Sequence, residues 1–389
     1  MPCGVAPAST RATSYGMTSR RLAPGLVILL SACGLFGPLS PSPDPATSSL
    51  LLGGDISALT RIEQGGGRFL DGDRVSNAIA ALRANGSNTF RLRLFVAPNG
   101  SDVQVNDLAY TIALARRVTA SGATLLLDIH YSDTWSDPGQ QVTPAAWQAF
   151  DFAALEARVE SYTTDAVSQM KSAGVLPAIV QVGNEIDGGL LWPLGRMGWA
   201  GYEAPENRER FGRLLKAGVR GVRAATVPAD SVRVMIHYSQ GASAARTQWF
   251  FDIVTAQGVP YDLIGLSYYP WWHGGIDSLR ANLGATALRY GKDIVVVETA
   301  YPWRSGWTIP GPSPEALTWP LTAAGQAAFL RDVVTAVIAT PNAHGAGVIW
   351  WYPEAVRVPG LATWGDGALA LFDDSGRILP AAKVFTALP

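Results

Sequence analysis

Residues Ile179–Gly189 read IVQVGNEIDGG. Apolar β-formers around a single Gln181 run straight into Gly183, Asn184 and Glu185, and then into more glycine. A short apolar run closed by glycine has the length and composition of a buried strand. Its end, an amide beside a carboxylate, has two readings. Either the pair caps the next element, or the strand delivers an acid to a cleft.

Outward from this stretch the same pattern recurs. Strand-like apolar runs lie at Leu51–Gly54, Thr89–Phe95, Thr124–His130, Ala178–Gly183, Val232–His237, Leu263–Tyr268, Ile294–Glu298 and Gly347–Trp351. They are continuous rather than alternating, as parallel strands covered on both faces should be. Helical patterns separate them, at Val75–Ala84, Leu108–Ala120, Phe152–Ser172, Arg208–Ala225, Ala244–Gln257, Ile276–Tyr290 and Ala323–Ala339. Several of these stop at glycine, at Gly86, Gly122, Gly174 and Gly291, the residue that best ends a helix. Strands and helices alternating in this way predict an α/β fold of the (β/α)8 TIM-barrel type, with a single catalytic domain. An open doubly wound sheet is the runner-up, but no strand leads into Gly-x-Gly-x-x-Gly or a P-loop. The glycine-rich EQGGGRF, Glu63–Phe69, follows no clear strand and reads as a loop.

A barrel gathers its chemistry at the C-terminal ends of its strands. Those ends carry Asp55, then Arg91 and Arg93, Asp128 and His130, Asn184 and Glu185, His237, Tyr268 and Tyr269, Glu298, and Trp350 and Trp351. Glu185 and Glu298 stand out, because each follows an apolar strand directly. Strand alternation would let both project into one central cleft. Two opposed carboxylates are what glycoside hydrolysis requires, one as acid and the other as nucleophile or base. The acid needs surroundings that keep its proton, and the nucleophile gains from an arginine on the second strand. Either glutamate alone could be a cap or an ion-pair member; together, among Trp, Tyr and His, they favour catalysis. His130, His237, His273 and His344 show no metal-ligand spacing, and Gly-x-Ser-x-Gly is absent. Asp133 and Asp137 could chelate a cation, although turn capping suits at least one of them better.

The 389 residues are 48% hydrophobic with a net charge of -1, enough to bury a large core. This balance argues against a nucleic-acid or anionic-membrane partner, which would call for a basic patch. Thirteen tryptophans, many in loop-like stretches, suit the flat faces of sugars as well as a core. At the start, Arg20-Arg21 precede the apolar run Leu22–Leu30 and then Leu-Ser-Ala-Cys33. Residues 1–33 read as an export signal, and its end resembles a bacterial lipoprotein box that would leave a lipid on Cys33. Met17 could be the true start. Residues 34–49, rich in Pro and Ser, read as a tether, and 50–389 as the folded domain. Cys3 is the only other cysteine, so a chain beginning at Cys33 has no disulfide or cysteine metal site. These features predict an exported protein, extracellular or tethered to a bacterial cell envelope; with no long exposed apolar stripe in the sequence, a monomer is expected.

Six stretches together resemble one family. They are RLRLF (Arg91–Phe95), LDIHYSDTWSDPGQQ (Leu127–Gln141), VQVGNEIDGGLLWPLG (Val180–Gly195), LIGLSYYPWW (Leu263–Trp272), VVVETAYPW (Val295–Trp303) and WGDGALALFDDSGRILPAAKVF (Trp364–Phe385). The chain from Leu51 onward resembles glycoside hydrolase family 53, the endo-β-1,4-galactanases. The resemblance implies a (β/α)8 barrel and retaining hydrolysis of the β-1,4-galactan side chains of pectin. It implies Glu185 as acid/base, Glu298 as nucleophile, Asn184 on the sugar 2-hydroxyl, and Arg93 beside the nucleophile. It also implies that His130, Asp133, Trp135, His237, Tyr268, Trp350 and Trp364 line the sugar cleft. No cofactor is implied. Some bacterial members bind calcium in an Asp- and Asn-rich loop after the seventh strand. Here that loop is RSGWTIPGPSPEALTWP, Arg304–Pro320, so no metal is expected. The alternatives are another retaining barrel glycosidase, such as a β-mannanase or endoglucanase, and a non-catalytic glycan-binding lipoprotein.

Overall fold

All eight apolar runs become strands of one closed sheet. The structure, a computed structural model, describes residues 50–387 apart from 200, 309 and 312–316. The signal and tether segments, 1–33 and 34–49, lie outside the described residues. The barrel strands are β1 (Leu51–Asp55), β2 (Thr89–Leu94), β3 (Thr124–Ile129), β4 (Ile179–Val182), β5 (Arg233–Tyr238), β6 (Leu263–Tyr268), β7 (Asp293–Thr299) and β8 (Gly345–Trp351). Each pairs in parallel with its neighbour in chain order, and β8 closes onto β1. The doubly wound alternative is therefore excluded: an open sheet has edges, and this one has none.

The helices are α1 (Leu59–Gln64), α2 (Ala78–Ala84), α3 (Leu108–Ala120), α4 (Phe152–Ser172), α5 (Pro205–Ala225), α6 (Ala244–Ala256), α7 (Pro270–His273), α8 (Ile276–Tyr290) and α9 (Ala323–Ile338). Side-chain caps set several of their starts. Asp107, Asp151 and Thr322 each accept a bond from a first-turn N–H, satisfying a donor that the helix itself cannot. The second helix begins later than its apolar pattern suggested. Asn77 caps Ala80 at 2.8 Å, and Arg74–Ser76 instead pair with Phe69–Asp71 in a small antiparallel hairpin. Polar caps decide such boundaries more sharply than apolar spacing does. Among the described residues, no helix is long and apolar enough to cross a membrane.

The core has two parts. Outward-facing strand residues pack against the helices in a large apolar shell that includes Phe90, Leu92, Val180, Val182, Ile264 and Leu266. Inside the barrel, Leu51, Leu126, Ile179, Met235, Leu263, Val295, Val297 and Ile349 fill the floor. Each of these buried aliphatic side chains stabilises the fold by roughly 1.5–3 kcal/mol. Gly53 has no room for a side chain, because a Cβ there would lie 1.7 Å from the Thr89 carbonyl oxygen. This floor fixes the phase of seven strands; β2 adds no side chain to it. Residues two and four positions beyond it also point inward, and there the apolar filling gives way to charge.

Candidate active site

Arg91 occupies the centre of the layer above the floor, wholly buried. One terminal nitrogen donates to Glu298 at 2.7 Å and to Asp55 at 3.2 Å. The other donates to Asp128 and to Asn184, both at 2.7 Å. Its Nε donates to Gln181 at 3.2 Å. One guanidinium thus ties together β1, β2, β3, β7 and the end of β4, using the planar fork that suits it to several oxygens at once. Burial pushes Asp128 up, but Arg91 and His130 pull it below its ordinary value. A buried carboxylate with such partners stays ionised.

The two glutamates reach this centre by different routes. β4 ends at Val182, and Gly183 and Glu185 then both take left-handed backbone conformations, with φ of 85° and 44°. Such a φ is unfavourable for a glutamate. Gln141 holds the turn by donating to the Asn184 and Glu185 carbonyls at 2.8 and 3.2 Å. Glu298 depends on a bulge. Leu266 pairs with Val296 but Ser267 pairs with Glu298, so Val297 is an extra residue in β7. Val295 and Val297 both face the barrel floor. Simple alternation would turn Glu298 outward, and the bulge re-aims it inward.

The surroundings of the two carboxyls differ. Glu298 accepts from Arg91 and, at 3.1 Å, from the Tyr269 hydroxyl. Burial pushes it up to about 7, against the pull of Arg91. Glu185 has no ion-pair partner among the described residues. Its Oε1 meets the Ser267 hydroxyl at 2.6 Å. Burial, and then the charge of Glu298, push Glu185 well above the ordinary carboxylate range. Glu185 is therefore the member of the pair that holds a proton, and Glu298 the member held toward its ionised form. His237 bridges Ser267, at 2.9 Å from Nε2, and Asn184, at 2.9 Å from Nδ1. Burial keeps its imidazole neutral, well below its ordinary value.

Above the pair opens a cavity of about 360 Å³, bordered by both glutamates, Asn184, Tyr269 and the indoles of Trp135, Trp272, Trp351 and Trp364. Its size and its mix of aromatic walls and few polar groups suit a sugar. Across residues 51–385 the chain matches the family model described as Glycosyl hydrolase family 53. The chain belongs to this family. The Ignisphaera aggregans GH53 catalytic domain superposes with a TM-score of 0.79 at 31% identity, covering 89% of this chain and 98% of that one. A structure from work on two fungal β-1,4-galactanases gives 0.77 at 31%, covering 87% and 100%. A probable arabinogalactan endo-β-1,4-galactanase A of Aspergillus terreus is 35% identical over 84% of this chain and 92% of its own.

In this family 53 chain the predicted residues fall into four groups. Glu185, Glu298, Asn184, Trp135 and Trp364 border the cavity. His130 and His237 are buried beneath it. His130 meets Asp128 at 2.9 Å and accepts from the Ser136 N–H, so both imidazoles position other site groups instead of lining the cleft. Asp133 braces a loop by accepting from the Ala97 and Ala145 N–H groups at 3.0 and 2.9 Å.

Three assignments are corrected. The arginine on Glu298 is Arg91; Arg93, one inward position nearer the mouth, meets Asp55 at 3.5 Å and stacks on Trp135 and Trp351. Tyr268 faces outward, where its ring stacks on Phe329 and its hydroxyl donates to Gly274. Tyr269 takes the place expected of it. Trp350 also faces outward and donates to the Leu369 carbonyl, while Trp351 borders the cavity. In both strands the error is one residue, which in a period-2 element exchanges the two faces. Counting from the inward Leu263 and Ile349 would have found Ser267 and Trp351. Among the described residues no group of three His, Cys, Asp or Glu could hold a metal ion. The loop expected to lack calcium lies partly outside the described residues.

Proposed function

We propose that this chain is an endo-β-1,4-galactanase that cleaves galactan by double displacement with retention of configuration. The observation that carries the reading is one cavity bordered by a proton-holding Glu185 and an arginine-held Glu298. The galactanases among its relatives supply the substrate class. Glu298 attacks the anomeric carbon while Glu185 protonates the departing oxygen, and a galactosyl ester forms on Glu298. Esterification removes the Glu298 charge. That charge is one of the causes that hold Glu185 up, so the acid becomes easier to ionise once the leaving group has gone. Glu185 then takes a proton from the water that hydrolyses the ester. Tyr269 and Arg91 orient the nucleophile, and Asn184 faces the sugar beside it.

Proton NMR of the first products from linear β-1,4-galactan tests this reading directly. Retention gives β-configured products before mutarotation, and Glu298→Ala abolishes turnover. Inverted products, or galactanase activity surviving in that variant, would sink the mechanism. Faster cleavage of mannan or cellulose would move the substrate to another retaining barrel class, and binding without cleavage would make the chain a glycan-binding protein. From the sequence we further infer export, a lipid on Cys33 and a monomeric state. Mass spectrometry of the mature N-terminus and light scattering of the mature protein test these.

A further inference from the structure

Glu185 borders a second cavity, of about 520 Å³, which Glu298 does not reach. Tyr269 and Trp272 stand between the two spaces and border both. In the mechanism proposed above, the leaving group departs on the side of the acid, away from the nucleophile. The second cavity is therefore the aglycone side of the cleft, and what lines it decides which aglycones fit.

Its wall is rich in hydrogen-bond donors. Arg246, in the first turn of α6, has no carboxylate partner among the described residues, and its guanidinium is steadied by Gln240 Oε1 at 3.1 Å. A cation at a helix N-terminus is on the unfavourable side of the helix dipole, so helix stability does not explain its presence. Gln240 Nε2 is engaged by Ser239 at 2.8 Å. His273 accepts the Tyr269 N–H at Nδ1, and burial holds the ring down to about 4. It is thus a neutral donor through Nε2–H. Besides Glu185, one further acid, Asp137, borders the space. Its oxygens already accept from the Gly139 and Gln140 N–H groups and from the Gln140 side chain. An unpaired guanidinium beside neutral donors fits a planar group with two acceptor oxygens. Neutral galactose offers no such group.

We propose that Arg246 recognises a carboxylate on the aglycone, so that the enzyme favours galactan bonds whose leaving group carries an acidic sugar residue. This rests on the galactanase reading. The chemistry identifies the favoured substrate as a galactan segment joined at its reducing end to a uronic or aldonic acid unit.

The test uses β-1,4-galactotetraose with its reducing-end unit oxidised to the aldonate, and the same tetraose reduced to the alditol. kcat/KM and the position of cleavage are measured for each, alongside linear galactan. In the wild type the aldonate should be cleaved about fivefold more efficiently than the alditol, the scale of a partly exposed ion pair. The ratio should fall to near one in Arg246→Met and be partly kept in Arg246→Lys. High salt should reduce it in the wild type. Equal rates on the two oligosaccharides, or a preference unchanged in Arg246→Met, would overturn the assignment while leaving galactanase activity in place. Failure to cleave galactan at all would overturn the galactanase reading, and this proposal with it.

Discussion

Arg91 shows how much one residue can organise. Its five bonds to Glu298, Asp55, Asp128, Asn184 and Gln181 make the Glu298 charge a property of the barrel interior. Arg91→Met should lower kcat/KM on the order of 10²–10³-fold, comparable to losing a preorganised electrostatic partner. The acidic limb of the pH profile should also move to higher pH, because Glu298 would lose the cation that favours its ionised form. Initial rates across pH check both. Ser267 acts on the other glutamate. Its hydroxyl pulls Glu185 down against burial, so Ser267→Ala should raise the acid's pKa. The proposed mechanism needs Glu185 protonated in the free enzyme, and under it the basic limb should therefore shift upward. A basic limb that stays in place would show that Ser267 does not act on Glu185.

At the scale of elements, position inside the barrel is set by strand phase and by the places where phase breaks. The apolar floor sets it, and five inward residues follow from it by alternation: Asp55, Asp128, Gln181, His237 and Ser267; Arg91 projects inward from β2, which adds nothing to the floor. The bulge at Val297 and the left-handed turn through Gly183 and Glu185 break it, and the two candidate catalytic carboxylates sit at those breaks. Strand packing leaves equally little tolerance at Gly53, which faces Thr89 across β1 and β2. Gly53→Ala should destabilise the protein by about 1–3 kcal/mol or more, since the clash is with backbone that cannot move aside. Urea unfolding measures it, and a variant as stable as the wild type would show that β1 and β2 can separate.

For the whole molecule, buried charge links stability to pH. Glu354, just past β8, is fully buried. One oxygen accepts from the Ala58 N–H at 3.0 Å, and the other has no partner among the described residues. Burial pushes this carboxyl up to about 8. The folded state therefore holds a proton that the unfolded chain releases at ordinary carboxylate pH. That contribution is complete below the unfolded pKa and is lost as pH rises through about 8. Glu354→Gln, which cannot ionise, should lose less thermal stability than the wild type between about pH 5 and about pH 9. A second property belongs to the cleft as a whole. Trp272 is 44% exposed and lies parallel to Trp364, with ring centroids 5.7 Å apart. Trp272→Ala should raise KM for polymeric galactan about tenfold, from the loss of roughly 1–2 kcal/mol of stacking, with a smaller effect on kcat. Comparing polymer with short oligosaccharides would show whether its role is to hold chain.

The alternation of apolar runs with amphipathic ones was enough to predict the barrel, because parallel strands covered on both faces leave a pattern in composition alone. IVQVGNEIDGG already pointed to an acid at a strand end, and VVVETAYPW supplied its partner. Local sequence could not say which of Tyr268 and Tyr269, or of Trp350 and Trp351, faces the cleft, nor which of the two inward arginines, Arg91 and Arg93, holds Glu298. Each aromatic pair differs by one position, and its facing depends on where the floor sets the phase; the two arginines share a face and differ only in depth. The position of Glu298 depended on more than phase, since a bulge visible only in the pairing of β6 with β7 turns it inward. The environments that separate the two glutamates come from residues on several strands, brought together when the barrel closes. Residue type and local pattern reside in the chain, whereas burial, facing and the sharing of one guanidinium arise from long-range contact.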